Sequence, residues 1–211
     1  MDTTLSRASL SEQIKQRLLD RILDGTLRPG DRIVELRIAM EMATSQAPVR
    51  EALRELEGVG VVETLRNRGA RVRVITNHEL REIYDVRAQL EGYATEVAAS
   101  RRASLKTRLM TLVRNMRQAA RDADPIAFAN NNSAFHRAIV EGAGNAYLLQ
   151  LWGILDVKVR TMVNVSRQRR DLASIAESHL AIVQAIAAGD SYGAREAAEA
   201  HVLENKPEEI S

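Results

Sequence analysis

Ser45-Gln46-Ala47-Pro48-Val49-Arg50-Glu51-Ala52-Leu53-Arg54-Glu55-Leu56-Glu57 reads as one short helix with two unlike faces. Ser45 suits the start, since its hydroxyl can accept an orphan backbone N–H, and Pro48 falls in the first turn, where a missing N–H does no harm. Val49, Leu53 and Leu56 recur at three- and four-residue steps and form an apolar stripe. Gln46, Arg50 and Arg54 share another face at four-residue spacing. Gly58 and Gly60 close the helix.

Reading outward from this helix gives the rest of a small domain. Upstream, Ser9-Leu10-Ser11-Glu12 has capping-box spacing, and Leu10, Ile14, Leu18 and Ile22 follow every fourth residue as far as Asp24-Gly25. A loop with Arg28-Pro29-Gly30-Asp31 leads to a short helix over Glu35 to Met42. Downstream, Val61–Leu65 and Arg71–Val74 read as two strands joined by the turn Arg66-Asn67-Arg68-Gly69. Three helices and a two-stranded ribbon, in that order, predict a winged helix-turn-helix over residues 1–75.

The polar face of the third helix has the chemistry of a major-groove reader. Arginine can bond guanine at two atoms, and glutamine can do the same for adenine, each pair discriminating by about 1–3 kcal/mol. A merely solvated helix face is the alternative. Four arginines between Glu63 and Glu79 (Arg66, Arg68, Arg71 and Arg73), with no acid among them, favour the reader. A basic hairpin beside such a helix can reach phosphates or the minor groove.

Leu27-Arg28-Pro29-Gly30-Asp31, Glu35, the run Ala47 to Glu57 and Asn67-Arg68-Gly69 together resemble the DNA-binding domain of the GntR family over residues 9–75. The resemblance implies that Ser45, Gln46 and Arg50 on the recognition helix contact DNA, with Arg68 and Gly69 in the wing. Arg54 and Arg66 join them from their positions on the polar face and in the basic hairpin. Members of that family commonly carry arginine where this chain has Gln46, which implies an altered base preference at one operator position.

From Thr76 the strand signals vanish. Thr76 can cap a long helix carrying Leu80, Ile83, Val86, Leu90 and Val97, and helices are expected over about 104–121, 125–142, 146–167, 171–188 and 191–204. Breaks fall at Asp124-Pro125, Gly142-Ala143-Gly144-Asn145 and Gly189-Asp190. Residues 76–211 therefore read as an antiparallel all-α bundle of about six helices.

Three of the four histidines lie in this half. His179 and His201 stand at similar distances either side of Gly189-Asp190, so antiparallel packing brings them to one depth. His136 follows Asn132 by one helical turn. Three imidazoles at one level suit a divalent transition metal, or else are buried histidines bonded to their neighbours. His78 opens a helix and reads as exposed.

Ile83-Tyr84-Asp85-Val86-Arg87 with Leu90-Glu91, Phe135-His136-Arg137 with Gly144-Asn145, Glu177-Ser178-His179 with Ala185-Ile186, and Ala200-His201 make this half similar to the FCD ligand-binding domain of the FadR subfamily. The six-helix count resembles its VanR-type branch. Many such domains bind a metal through an aspartate and three histidines. The resemblance places His136, His179 and His201 as the histidines, with Asn132 where aspartate is typical. It also implies a small organic-acid effector above a metal such as zinc, nickel or manganese, lined by Arg87 and, as further candidates, Arg137, Asn145 and Arg160.

Composition bounds the alternatives. The 211 residues are 45% hydrophobic and 27% charged, ordinary for a packed protein, and no run approaches a membrane span. No secretory signal opens the chain, and with no cysteine there is no thiolate site or disulfide, so a cytoplasmic location is expected. Aromatics at 3% argue against base-stacking on single strands. The net charge is only +2, and residues 76–211 balance acids against bases, so the basic patch is local. A metalloenzyme built on the bundle is a rival, but the repeated Glu-x-x-His sets of di-iron proteins are missing. An effector-free architectural DNA binder is another, and it leaves the histidines unexplained. The sequence therefore predicts a homodimeric DNA-binding repressor, not an enzyme.

Overall fold

The computed structural model describes residues 9–208, apart from 59, 66–68, 102–103, 156, 158–159 and 162–170. The chain divides into two compact units, Met1–Ile75 and Thr76–Ser211.

In the first unit, α1 (Leu10–Leu23) starts where the Ser9 hydroxyl accepts the Glu12 N–H at 3.2 Å. Its Ile14, Leu18 and Leu19 are buried, whereas Leu10 remains half exposed at the helix start. Helix α2 (Glu35–Glu41) buries Ile38 and Ala39, and α3 (Gln46–Gly58) buries Val49, Ala52, Leu53 and Leu56. The apolar stripe expected of α3 thus packs on α1 and α2, which leaves its polar face outward.

The expected ribbon is one strand richer. Strand β1 (Arg32–Ile33) joins β2 (Val62–Leu65) and β3 (Gly69–Val72) in an antiparallel sheet of order β1-β3-β2. Two residues carry no visible alternation, and this is why β1 escapes a reading by pattern. Gly69 is required where β3 begins. Its φ is +82°, and a Cβ there would overlap the Ile33 carbonyl oxygen of β1. The expected turn residues Arg66, Asn67 and Arg68 lie outside the described residues.

The second unit is helical: α4 (Asn77–Ser100), α5 (Lys106–Arg121), α6 (Pro125–Gly142), α7 (Ala146–Ile154), α8 (Leu172–Ala188) and α9 (Ser191–Glu204). Side chains of Thr76, Asp124, Asn145, Asp171 and Asp190 cap α4, α6, α7, α8 and α9, accepting backbone N–H groups of the first turn. Helix α8 ends at Gly189 with φ +73°, a left-handed cap, and the chain reverses into α9. Alanines 94, 98 and 99 of α4 and 194 and 198 of α9 let these two helices pack closely. Phe128, Phe135, Leu109, Met116 and Ile182 fill the interior.

One expected helix is shorter than its pattern. A helix over 146–167 is interrupted, because α7 stops at Ile154 with Leu155 as its C-cap. Gly153 sits in that last turn, where glycine is about 1 kcal/mol worse than alanine. Val157, Arg160 and Thr161 are helical again, beyond the break.

Candidate metal centre and DNA-reading face

The bundle core contains a buried polar cluster. His136 and Asn132 of α6 meet His179 of α8 and His201 of α9, with the buried Phe135 ring edge-on to His136 and His179. All four cluster side chains are buried. The ring centroids of His179 and His201 are 4.1 Å apart, and each lies 5.3 Å from that of His136. One potential ligand nitrogen from each ring falls within 4.8 Å of the others.

Two of the imidazoles are hydrogen-bonded at Nδ1, and the third has a carboxylate beside it. His179 Nδ1 is 2.8 Å from the Ile175 carbonyl oxygen, and His201 Nδ1 is 2.9 Å from Ser178 Oγ. The Ser178 hydroxyl itself donates to Ile175 O at 2.8 Å, so it meets His201 as an acceptor. His136 Nδ1 lies 2.8 Å from Glu91 Oε2. A single proton held on Nδ1 would leave each Nε2 a lone pair. His136 Nε2 is buried with no hydrogen-bond partner, a costly state in an apolar core.

Asn132 belongs to the same cluster. Its Nδ2 donates to Thr161 Oγ1 at 3.3 Å, and its Oδ1 stands 3.0 Å from His179 Nε2. Two lone-pair atoms 3.0 Å apart suit adjacent ligands of one cation, since donors about 2.1 Å from a metal at right angles are separated by about that distance. Burial and the neighbouring His136 push His179 down to about 3, and burial with His179 holds His201 well below the usual histidine range. Both rings are therefore neutral near pH 7, the state a metal ligand needs. The residues fit a divalent transition ion.

Glu91 on α4 is a cluster residue that the sequence reading did not single out for a role. Arg87 Nε donates to its Oε1 at 2.9 Å, and Trp152 Nε1 donates to the same oxygen at 2.8 Å. Burial would raise this carboxyl, but Arg87 and His136 prevail and hold it well below the usual carboxylate range. Arg87 also lies over the Tyr84 ring, 4.7 Å from its centroid. The four-residue step from Arg87 to Glu91 was a visible signal, but such pairs usually lie on helix surfaces.

The other candidates separate. Arg160 is buried, with Nη1 3.4 Å from Glu79. Arg137 is not brought to the cluster; it is exposed, and its Nε donates to Glu141 at 2.9 Å, one turn along α6. Asn145 is not brought there either, because its Oδ1 caps α7 by accepting the Leu148 N–H at 3.1 Å. His78 is exposed beside Glu82, as expected.

In the first unit, Gln46, Arg50 and Arg54 line an open groove of about 660 Å³ together with Arg32, Thr64 and Gly69. Ser45 is exposed just before α3. Glu35 of α2 grips the Arg50 guanidinium through Nε at 3.1 Å and Nη2 at 2.8 Å, which fixes the direction of that side chain on the exposed face of α3. Arg32 and Thr64 were not anticipated; Arg32 lies on β1, the strand that left no pattern to read. Arg66 and Arg68 lie outside the described residues.

Comparison with known proteins fixes the family. Residues 10–72 match the family "Bacterial regulatory proteins, gntR family", and residues 82–204 match the FCD domain. The chain belongs to the GntR family and carries an FCD domain. This GntR regulator is 35% identical over 210 residues to the "Probable D-xylose utilization operon transcriptional repressor" of Paenarthrobacter nicotinovorans, covering 98% of this chain and 93% of that protein. It is 29% identical over 193 residues to the "Gluconate operon transcriptional repressor" of Bacillus licheniformis, covering 88% and 79%. Among solved structures it is similar to E. coli McbR/YncC, with TM-score 0.75 and 25% identity over 93% of this chain and 95% of that one. The chain is thus a transcription regulator, not an enzyme. Among the described residues no helix is long and apolar enough to cross a membrane.

Removing one half of a buried ion pair strands the other half. Arg87→Met is expected to destabilise the FCD bundle by about 3–5 kcal/mol. Urea unfolding followed by circular dichroism checks this; a loss below about 1 kcal/mol would mean that the pair is not desolvated.

Proposed function

We propose that this regulator represses transcription as a homodimer that reads operator DNA through α3 and the wing. A small organic acid, bound over a divalent metal in the FCD bundle, lowers its operator affinity. The observation that carries the effector half is the buried triple of imidazoles, with His136 Nε2 left without a partner. His136, His179, His201 and Asn132 would hold the metal. Bound there, a divalent ion supplies an electrophilic anchor for a carboxylate oxygen.

The chain's own residues favour an anion beside that centre. The four donors are uncharged, and the nearby carboxylate of Glu91 is already paired with Arg87. An incoming carboxylate meets buried guanidinium groups of Arg87 and Arg160 in a low-dielectric interior, where charge-assisted hydrogen bonds are strong. The relatives named for D-xylose and gluconate operons support sugar-derived hydroxy acids as the class to try first. Coupling is reciprocal, so an acid that weakens operator binding must itself bind more weakly to the operator complex.

On the DNA side, two α3 helices of a dimer would enter successive major grooves of a near-palindromic site. Gln46, Arg50 and Arg54 would meet base edges, with Ser45, Arg66, Arg68 and Gly69 on or near the backbone. Glutamine at position 46 favours adenine at its base pair, and Gln46→Arg is expected to shift that preference to guanine by roughly tenfold in affinity. Fluorescence anisotropy on operator variants at that pair measures it. Identical preferences for the two proteins would remove Gln46 from direct readout, and binding with no salt dependence would remove the operator reading itself.

The amide of Asn132 brings no negative charge to the cation. Asn132→Asp is expected to raise metal affinity on the order of tenfold, because site charge tunes affinity. Calorimetric titration of metal-stripped protein decides, and equal affinities would exclude Asn132 as a ligand.

A further inference from the structure

We propose that Glu91 sets the tautomer of His136 and thereby decides whether the histidine cluster can take a divalent cation. This rests on reading the cluster as a metal centre. The argument starts from how the two carboxylate oxygens divide their partners. Oε1 accepts two N–H groups, from Arg87 Nε at 2.9 Å and Trp152 Nε1 at 2.8 Å. Oε2 receives neither; it stands 2.8 Å from His136 Nδ1, an ion-pair distance, with no aligned hydrogen bond of its own. Glu91 is the only buried acid among the described residues.

A carboxylate oxygen 2.8 Å away repels a lone pair and attracts a proton, so Nδ1 is the nitrogen of His136 that carries one. When the His136 ring carries one proton, that proton therefore sits on Nδ1 and the lone pair on Nε2, the nitrogen that has no hydrogen-bond partner in the cluster. The other two rings lean on neutral acceptors, a backbone carbonyl and a serine hydroxyl. His136 alone has a carboxylate behind it, which both fixes the ring and makes it a stronger donor. Glu91 is thus a positioning residue that acts through His136 and does not touch the cation.

Glu91→Gln tests this sharply because it preserves shape. Arg87 and Trp152 both donate toward the Oε1 position, so the amide carbonyl must occupy that place. The NH2 group then faces His136 Nδ1 and can only donate. The imidazole must answer with a lone pair on Nδ1, and its proton moves to Nε2, where the metal would bind. A carboxamide of nearly the same volume should close the site by one proton.

Nitrogen-15 NMR of the metal-stripped full chain reads the ring directly. The wild type is expected to show His136 protonated on Nδ1, and Glu91→Gln to show it protonated on Nε2. Zinc or nickel affinity should fall about 10–100-fold in the variant. Should the unbalanced Arg87 charge unfold the bundle, Arg87→Met/Glu91→Gln removes that charge while Trp152 still directs the amide, and the same reversal is expected. An unchanged His136 tautomer overturns the proposal. A reversed tautomer with unchanged metal affinity overturns its second half, because His136 is then not a ligand. A wild type that binds neither metal, yet shows the reversal on substitution, sinks the metal reading and leaves the tautomer control standing.

Discussion

Three imidazoles sealed inside an apolar bundle impose the main constraint on the second half of this protein. Each buried ring nitrogen needs a partner, since an unpaired polar group in such an interior costs roughly 1–3 kcal/mol. The fold meets the demand at Nδ1 with acceptors from two helices: Glu91 on α4, and Ile175 and Ser178 on α8. The rings themselves come from α6, α8 and α9. Four helices thus need mutual alignment for the cluster to exist, and α7 joins them through the Trp152 indole on Glu91.

The first half handles its polar groups in the opposite way. Gln46, Arg50 and Arg54 stay in water, lining an open groove, and only Arg50 is tied down, by Glu35. Exposed ion pairs stabilise little, so that contact matters more for orientation than for stability. The sheet contributes position too. Gly69 lets β3 pass close to the β1 backbone, and this brings Arg32 to the same groove as the α3 side chains.

Much of this was legible in the sequence, and the exceptions have physical causes. Capping residues announced α1 and α4, the break at Asp124-Pro125 marked the start of α6, and the apolar steps of α3 named its buried face. The similar spacing of His179 and His201 either side of Gly189-Asp190 foretold their meeting, because a tight reversal preserves depth. Strand β1 left no trace, being two residues whose pairing is wholly tertiary. The break after Ile154 was hidden since Gly153 lies within a continuous apolar run. Arg137 and Asn145 stood near the right histidine or loop in sequence, but a helix turns its neighbours outward by about 100° per residue. Glu91 carried the opposite lesson. Its spacing from Arg87 resembled an ordinary surface pair, and only the burial supplied by α6 and α7 reveals that its two oxygens have separate duties.

The account turns on whether the three Nε2 atoms share one cation. X-ray absorption of the metal-loaded full chain measures this most directly. Imidazole nitrogens from three rings in the first coordination shell are predicted, with oxygen donors completing it. A shell with one imidazole or none would contradict the account.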